Sequence, residues 1–187
     1  MNILELLDGV IRKPAAALRY IAGEKPAGWA MAIFTASALL GLISTDHSMF
    51  EQYINSPGPN IIVQLAAFLT GLFIAAGFLY LLSRIFKATG GFWGLFSALG
   101  FAQFPGFLVP LAELIKQNGG TAGAVLGGIL SFGIALWIVI LHIIALRESR
   151  GIGTGASILT YLIALVIFAV VIMIGAVCIV LVSGIFL

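Results

Sequence analysis

Five long runs of apolar residues most constrain what this chain can fold into. They lie at about residues 27–44, 61–83, 92–115, 121–146 and 156–187. A helix needs about 20 predominantly apolar residues to cross the hydrocarbon core of a bilayer, and each run reaches or approaches that length. Within hydrocarbon only helices and closed barrels satisfy every backbone hydrogen bond. The runs therefore predict an all-α polytopic membrane protein, built as a bundle of five transmembrane helices.

The composition excludes the soluble classes. Of the 187 residues, 61% are hydrophobic and only 9% are charged, whereas soluble domains carry roughly 25% charged residues. The net charge of +2 comes from basic residues in loops beside apolar runs, where charge orients a membrane protein. We therefore expect the lipid bilayer as the main partner and no nucleic-acid partner.

Residues 1–25 form a segment of their own ahead of the transmembrane domain at 26–187. Over residues 2–12, Glu5, Asp8 and Arg12 recur on one side of a helix and apolar residues fill the other. Asn2 and Glu5 have the spacing of a capping box. The segment is too short and too charged to cross the bilayer. Two placements follow: an amphipathic helix in the membrane interface, or a helix packed on the cytoplasmic ends of the bundle.

Glycines and prolines interrupt the pattern at several places. In the third run, Pro105 removes a backbone donor, which predicts a kink or break at residues 104–106. We expect residues 56–60 to form a turn and Thr89, Gly90 and Gly91 to form a flexible junction. The fifth run would make a helix of about 48 Å at 1.5 Å per residue, against roughly 30 Å of hydrocarbon. It is expected to tilt, or to break near Gly175 or Gly184.

Small residues spaced by four open the fourth run, at Gly119, Gly123, Gly127, Ser131 and Ala135. Such residues lie nearly on one face of a helix, and membrane helices approach closely along such faces. Two interpretations stay open: the stripe joins two copies of the chain in a homo-oligomer, or it packs within the chain.

The distribution of Lys and Arg predicts the orientation. Five crossings leave only Lys116 on one side of the membrane and place the other basic residues at loops or termini on the opposite side. If the third segment is re-entrant instead, the Lys and Arg residues are divided less unequally between the two sides of the membrane. By the positive-inside rule, we expect a cytoplasmic N-terminus and a C-terminus outside.

Few strongly polar residues lie within the runs. Together with Pro105 at the predicted break, they make up the candidate intramembrane site: Gln64, Gln103, Pro105, Glu113 and His142. Gln103 precedes the predicted kink and is able to bond a freed backbone group. His142 lies one turn inside the end of the fourth run, where it serves either as a relay residue or as a hydrogen-bonded structural residue. Glu113 is placed to pair with Lys116.

Sequence signatures of enzymes are missing. The chain has no nucleophile elbow, no zinc-protease helix and no phosphate-binding loop, and the single cysteine, Cys178, lies in an apolar run. We therefore expect no enzymatic activity, no cofactor and no metal site.

Three local patterns resemble the Yip1 domain family. Pro14 follows a short amphipathic helix and precedes an aromatic–apolar pair, Tyr20 and Ile21. Gly90 and Gly91 precede the stretch 98–105, which ends in a proline. Trp137 is followed by Leu146, Arg147 and Gly151 before the last run.

The resemblance implies five crossings, a cytoplasmic N-terminus and a C-terminus in the lumen or periplasm. The acidic-leucine-tyrosine-glycine-proline motif of the eukaryotic members is missing, so a Rab-GTPase-binding role does not carry over. The compact chain is more similar to prokaryotic members, which implies a bacterial inner membrane.

Two functions fit the sequence. The first is a non-enzymatic integral membrane protein that acts by helix packing, as a scaffold, an adaptor or a membrane-organising, trafficking-like factor, with a membrane-protein partner or a second copy of itself. The second is a small transporter or channel whose site lies at the broken third run.

Overall fold

The chain folds into helices joined by short connections. The computed structural model describes residues 2–44 and 57–185, with their side chains except those of residues 42, 43, 57–62, 64, 172 and 175–185. No strand occurs among these residues. The helices are α1 (Ile3–Arg12), α2 (Pro14–Glu24), α3 (Ala27–Ser44), α4 (Pro57–Ser83), α5 (Phe92–Ala102), α6 (Val109–Asn118), α7 (Gly120–Arg150) and α8 (Thr154–Ile185), with 3₁₀ turns at Arg84–Phe86 and Phe104–Leu108.

Several helices are long and apolar enough to cross a membrane. In the described part of the chain, four segments meet that standard by length and composition: Leu65–Phe86, Phe92–Asn118, Gly120–Arg150 and Thr154–Val171. Ala27–Gly41 is a shorter apolar helix. The protein is therefore a multi-pass, all-helical membrane protein.

The sequence prediction of a turn ahead of the second run is wrong. Residues 57–60 form the first turn of helix α4, because a proline at a helix start loses no intrahelical hydrogen bond. The charged cluster at 147–150 forms the last turn of α7, and Gly151, at φ +64°, ends the helix. The backbone of α8 continues through Gly175 and Gly184, so of the two expectations for the fifth run the break is excluded.

Helix α5 is the centre of the bundle. Every residue from Gly94 to Ala102 is buried, and 61% of the most apolar window of Phe92–Asn118 is buried, against 17% in each of the other three long segments. It packs against α2, α3, α4 and α7. On the α4 side the contact is an aromatic cluster of Phe73, Tyr80, Phe92 and Phe96.

Glycines bring the backbone of the third segment against α2 and α3. A Cβ atom added to Gly94 would lie 2.7 Å from the Ala22 carbonyl oxygen, and one added to Gly100 would lie 2.7 Å from the Ala30 Cβ. A Cβ atom added to Gly106 would lie 2.1 Å from the Ser37 hydroxyl oxygen. Side chains at Gly94 and Gly100 would meet the backbones of Ala22 and Ala30 and force the helices apart, whereas a side chain at Gly106 would displace the Ser37 hydroxyl.

The two ends of the bundle differ in charge. At one end, Arg19 of α2 bonds Glu148 of α7, and the α4–α5 loop contacts Arg150. This end, which we call the basic end, also carries Arg84 and Lys87. At the opposite end the Gln117 amide donates to the Ser44 carbonyl at 3.2 Å. Helix α3 therefore runs from the basic end to the opposite end, as α5 and α6 together do.

Helix α1 lies across the basic end. Leu6 and Val10 are buried, whereas Leu4 is 70% exposed and Ile11 is 47% exposed. The backbone N–H of Asn2 donates to the Glu5 carboxylate at 3.2 Å. One apolar strip of α1 thus packs inward, and a second strip faces outward.

The α4–α5 loop is held tightly, contrary to the flexible junction expected from Thr89, Gly90 and Gly91. The Thr89 N–H donates to the Arg150 carbonyl at 3.1 Å. A Cβ atom added to Gly90 would lie 1.7 Å from the Ser149 carbonyl oxygen. The glycine is needed because the loop lies directly on the backbone of α7, so its absent side chain serves close contact rather than flexibility.

This contact predicts a sharp difference between two adjacent glycines. Gly90→Ala should lower the free energy of unfolding by at least about 1–3 kcal/mol, because the new methyl group overlaps a backbone carbonyl. Gly91→Ala is the matched control, since nothing lies within 4 Å of its added Cβ. Thermal unfolding of the purified variants in detergent measures both. Equal midpoints for the two variants would contradict the close contact.

Candidate functional site

The third membrane segment breaks where the sequence predicts. The α-helical pattern stops after Ala102, and residues Phe104–Leu108 form a 3₁₀ turn with Pro105 buried inside it. The Gln103 carbonyl accepts the Gly106 N–H at 2.9 Å and faces the Ser37 hydroxyl at 3.5 Å. Ser37 lies on α3, so a neighbouring helix supplies a partner at the break, as the lipid environment demands.

A small cavity lies beside this break. Its volume is about 280 Å³, and its lining combines apolar side chains of α3, α4 and α7 with Ser37, Gln103 and Gly106. The break therefore gives the cavity its few polar groups. This arrangement fits a packing role for Gln103 and Ser37 and leaves limited space for a solute.

His142 lies in a different place, at a cleft between α4, α7 and α8. Its Nδ1 atom is 3.2 Å from the Tyr161 hydroxyl, and its ring also interacts with the backbone of Leu99. The cleft has a volume of about 440 Å³ and is lined, apart from this pair, by apolar residues: Leu72, Ala75, Phe78, Leu79, Leu99, Ala164, Leu165, Phe168 and Ala169. We call it the α4–α8 cleft. The sequence did not suggest Tyr161 as the partner of His142.

The sequence-predicted candidates are thus not brought into one site. Gln103 and Pro105 belong to the helix break, whereas His142 lines the α4–α8 cleft. Glu113 pairs with Lys116 at 3.4 Å on α6. Gln64 lies in α4, and its side chain is outside the described part of the chain. Among the described residues, no three His, Cys, Asp or Glu side chains cluster as a metal ion would require.

Arg150 forms a polar centre that sequence reasoning missed. The side chain is 1% exposed. Its Nε donates to the Ser83 hydroxyl at 2.8 Å, and its guanidinium lies 4.2 Å from the centroid of the Tyr80 ring. Ser83 in turn donates to the Tyr80 carbonyl at 2.8 Å. Arg150 therefore places a positive charge at the C-terminus of α4, where the helix dipole favours a cation.

A second charged group joins α2 to α7 at the same end. Glu148 accepts from Arg19 at 2.6 Å and from Arg147 at 2.7 Å, and its side chain is only 5% exposed. Arg147 also donates to the Thr154 hydroxyl at the start of α8 at 3.2 Å. Two guanidinium groups share one carboxylate here, so the group carries a net positive charge.

The small-residue stripe of α7 divides into two parts. Gly123 and Gly127 are buried, and Cβ atoms added there would lie 2.5 Å from the Ile115 carbonyl oxygen and 2.7 Å from the Ala112 carbonyl oxygen. This part packs within the chain, against α6. Gly119 and Ala135 are exposed, and Ser131 is partly buried. A spacing of four advances about 40° per step around a helix, so the stripe turns away from α6 along its length.

Comparisons with known proteins identify one family. The Yip1 domain family model matches residues 9–177, a range that runs from α1 into α8. No curated protein and no solved structure gives a match.

The Arg150 contacts predict a specific loss of stability. Ser83→Ala should lower the free energy of unfolding by about 1.5–3 kcal/mol, because it removes a hydrogen bond to a buried cation. Ser157→Ala is the matched control: that serine is equally buried, but its hydroxyl bonds a carbonyl of its own local backbone, Gly153, at 3.1 Å. Thermal or chemical unfolding in detergent compares them. A Ser157 variant as unstable as the Ser83 variant would argue against the role of Arg150.

Proposed function

The chain belongs to the Yip1 domain family of membrane proteins, and from this we propose that it acts without catalysis, by packing its helices against helices of a partner. In that role it serves as a scaffold, an adaptor or a membrane-organising factor. The partner is a second membrane protein or a second copy of the chain. Two of the candidate side chains are paired, His142 with Tyr161 and Glu113 with Lys116, which supports packing over chemistry.

One observation carries the proposal: α7 presents a second face of small residues, of which the rest of the described chain covers only Ser131 in part. Ala124, Gly128 and Ala135 are exposed, and Ser131 shares their side of the helix. A Cβ atom added to Gly128 meets nothing within 4 Å. Small residues spaced in this way let a second membrane helix approach closely. This face is free to pack, whereas Gly123 and Gly127 are already used against α6.

Five crossings and a bacterial inner-membrane location also belong to the proposal. Support for the fifth crossing comes from α3, which has 18 residues and extends from the basic end to the opposite end. The positive-inside rule then makes the basic end cytoplasmic. Leu4 and Ile11 of α1 face outward at this end, which supports an interfacial position for that helix. Five crossings then put the N-terminus inside and the C-terminus outside.

The packing role predicts that a leucine at position 128 reduces association more than a leucine at position 133. Gly128→Leu should abolish or strongly reduce association, because the longer side chain keeps a partner helix at a distance. Gly133→Leu is the matched control: Gly133 is equally open but lies about 140° away around the helix. Crosslinking in cells, followed by gentle purification and identification of the bound proteins, measures the association.

Both variants should remain folded, since an added Cβ atom meets nothing within 4 Å at either position. Loss of crosslinks in the Gly128 variant alone supports the proposal. Equal crosslinking of both variants, or a wild-type protein that is recovered as a clean monomer without partners, would contradict it.

The orientation predicts the labelling of a single cysteine. With Cys178 replaced, a cysteine at Glu51 should react with a membrane-impermeant maleimide in intact cells, because the proposed orientation puts the connection between α3 and α4 outside. A cysteine at Lys87, at the basic end, should react only after the membrane is opened. The reverse pattern would show that the proposed orientation is wrong.

A further inference from the structure

We propose that the α4–α8 cleft binds one acyl chain of a glycerophospholipid from the leaflet at the basic end. In this arrangement the Tyr161 hydroxyl bonds an ester carbonyl, and Arg147 lies at the level of the phosphate. The inference concerns a lipid site and stands independently of the packing role of α7.

The walls of the cleft suit a hydrocarbon chain. Its volume of about 440 Å³ lies within the roughly 300–1,000 Å³ of typical ligand sites. Its outer rim includes Leu165 and Phe168, which are 49% and 40% exposed. Since the surrounding medium of a membrane span is lipid, the rim opens to acyl chains rather than to water.

The polar pair gives the cleft one point of recognition. A tyrosine hydroxyl has one donor and two acceptor positions. The tautomer of His142 that carries its proton on Nδ1 donates to the Tyr161 oxygen and leaves the tyrosine O–H free to donate. The proposal requires this tautomer, because a phospholipid ester carbonyl is an acceptor that needs a single donor.

The Arg147 charge lies on the side of the cleft where the phosphate of the bound lipid would be. Thr154 and Tyr161 are seven residues apart on α8 and therefore share one side of the helix, separated by about 10 Å along its axis. The Arg147 guanidinium bonds Thr154, so it lies above Tyr161 at the start of α8. The headgroup layer adds roughly 5–8 Å to each side of the hydrocarbon. Helical side chains lean toward the N-terminus, so the Tyr161 hydroxyl lies closer to Arg147 than the backbone distance. With this hydroxyl at the ester level, Arg147 lies at the outer edge of the headgroup layer, where its long side chain reaches the phosphates.

The charge at this level favours an anionic headgroup. Arg19 and Arg147 share the single carboxylate of Glu148, which leaves one uncompensated positive charge. The N-terminus of α8 adds the partial positive charge of a helix start. A phosphate beside Arg147 is therefore held by both a side chain and a helix end.

Photocrosslinking in vesicles tests the site. The full-length protein is reconstituted with phosphatidylglycerol that carries a diazirine in one acyl chain, and the labelled peptides are mapped by mass spectrometry. We expect labels enriched on cleft residues of α4 and α8 over exposed α7 residues such as Val125. Labelling that is no higher in the cleft than on those exposed residues would overturn the proposal.

Variants separate the cleft from the general lipid surface. Ala164→Phe fills the cleft from α8 and Ala75→Phe fills it from α4, so both should remove the cleft labels. Val166→Phe adds the same bulk on the lipid-facing side of α8, where Val166 is 63% exposed, and should not. Tyr161→Phe should reduce the cleft labels about fivefold, the effect of one hydrogen bond. If the Ala164 and Ala75 variants fold and their cleft residues are still labelled as in the wild type, the proposed lipid site is wrong.

The headgroup is tested by competition. Unlabelled phosphatidylglycerol should displace the probe better than unlabelled phosphatidylcholine, and Arg147→Gln should reduce that preference about fivefold. Equal competition by both lipids would remove the role of Arg147. If the cleft peptides instead crosslink to a protein, the occupant is a helix and the lipid proposal is wrong.

Discussion

Close backbone contact along the third membrane segment is the interaction on which the rest of the structure depends. Gly94, Gly100 and Gly106 let this segment lie directly against α2 and α3, and helices α4 and α7 then complete its enclosure. In hydrocarbon, burial of apolar side chains provides little drive for helices to associate, so the distance between backbones decides the packing energy. The absence of side chains at these three glycines therefore allows the close packing that holds the bundle together. They also explain why the helix break at Phe104–Leu108 is tolerated, since α3 is close enough for Ser37 to reach the Gln103 carbonyl.

The architecture was largely predictable from the sequence, because the hydropathy of a run and the position of a proline affect helix structure through nearby residues alone. Apolar runs marked the helices, Pro105 marked the break, and three local patterns indicated the family. The prediction failed where a residue type has two physical uses. The sequence indicates flexibility at Gly90, but this glycine permits close contact with Ser149. The prolines at the start of α4 indicate a turn, but a helix start accepts proline equally well.

The candidate site was less predictable, because its contacts join residues far apart in the chain. His142 and Tyr161 are on different helices, and so are Ser83 and Arg150. An arginine at the end of an apolar run ordinarily marks the membrane boundary, so nothing in the sequence distinguishes the buried Arg150 from the more exposed Arg147. The stripe on α7 shows the same limit. Its spacing identified a packing surface, but only the position of α6 shows that Gly123 and Gly127 are covered while Gly128 is open.

The docking of the α4–α5 loop on the end of α7 has a consequence for how the protein is made. The ribosome delivers Gly90 and the central helix well before Ser149 and Arg150, which complete the junction around them. Until the last turn of α7 is made, Ser83 lacks the bond from Arg150 and the Thr89 N–H lacks its acceptor. The junction around the central helix is therefore completed only by residues from the second half of the chain. Packing at the basic end follows the synthesis of the late helices, although the central helix is made early.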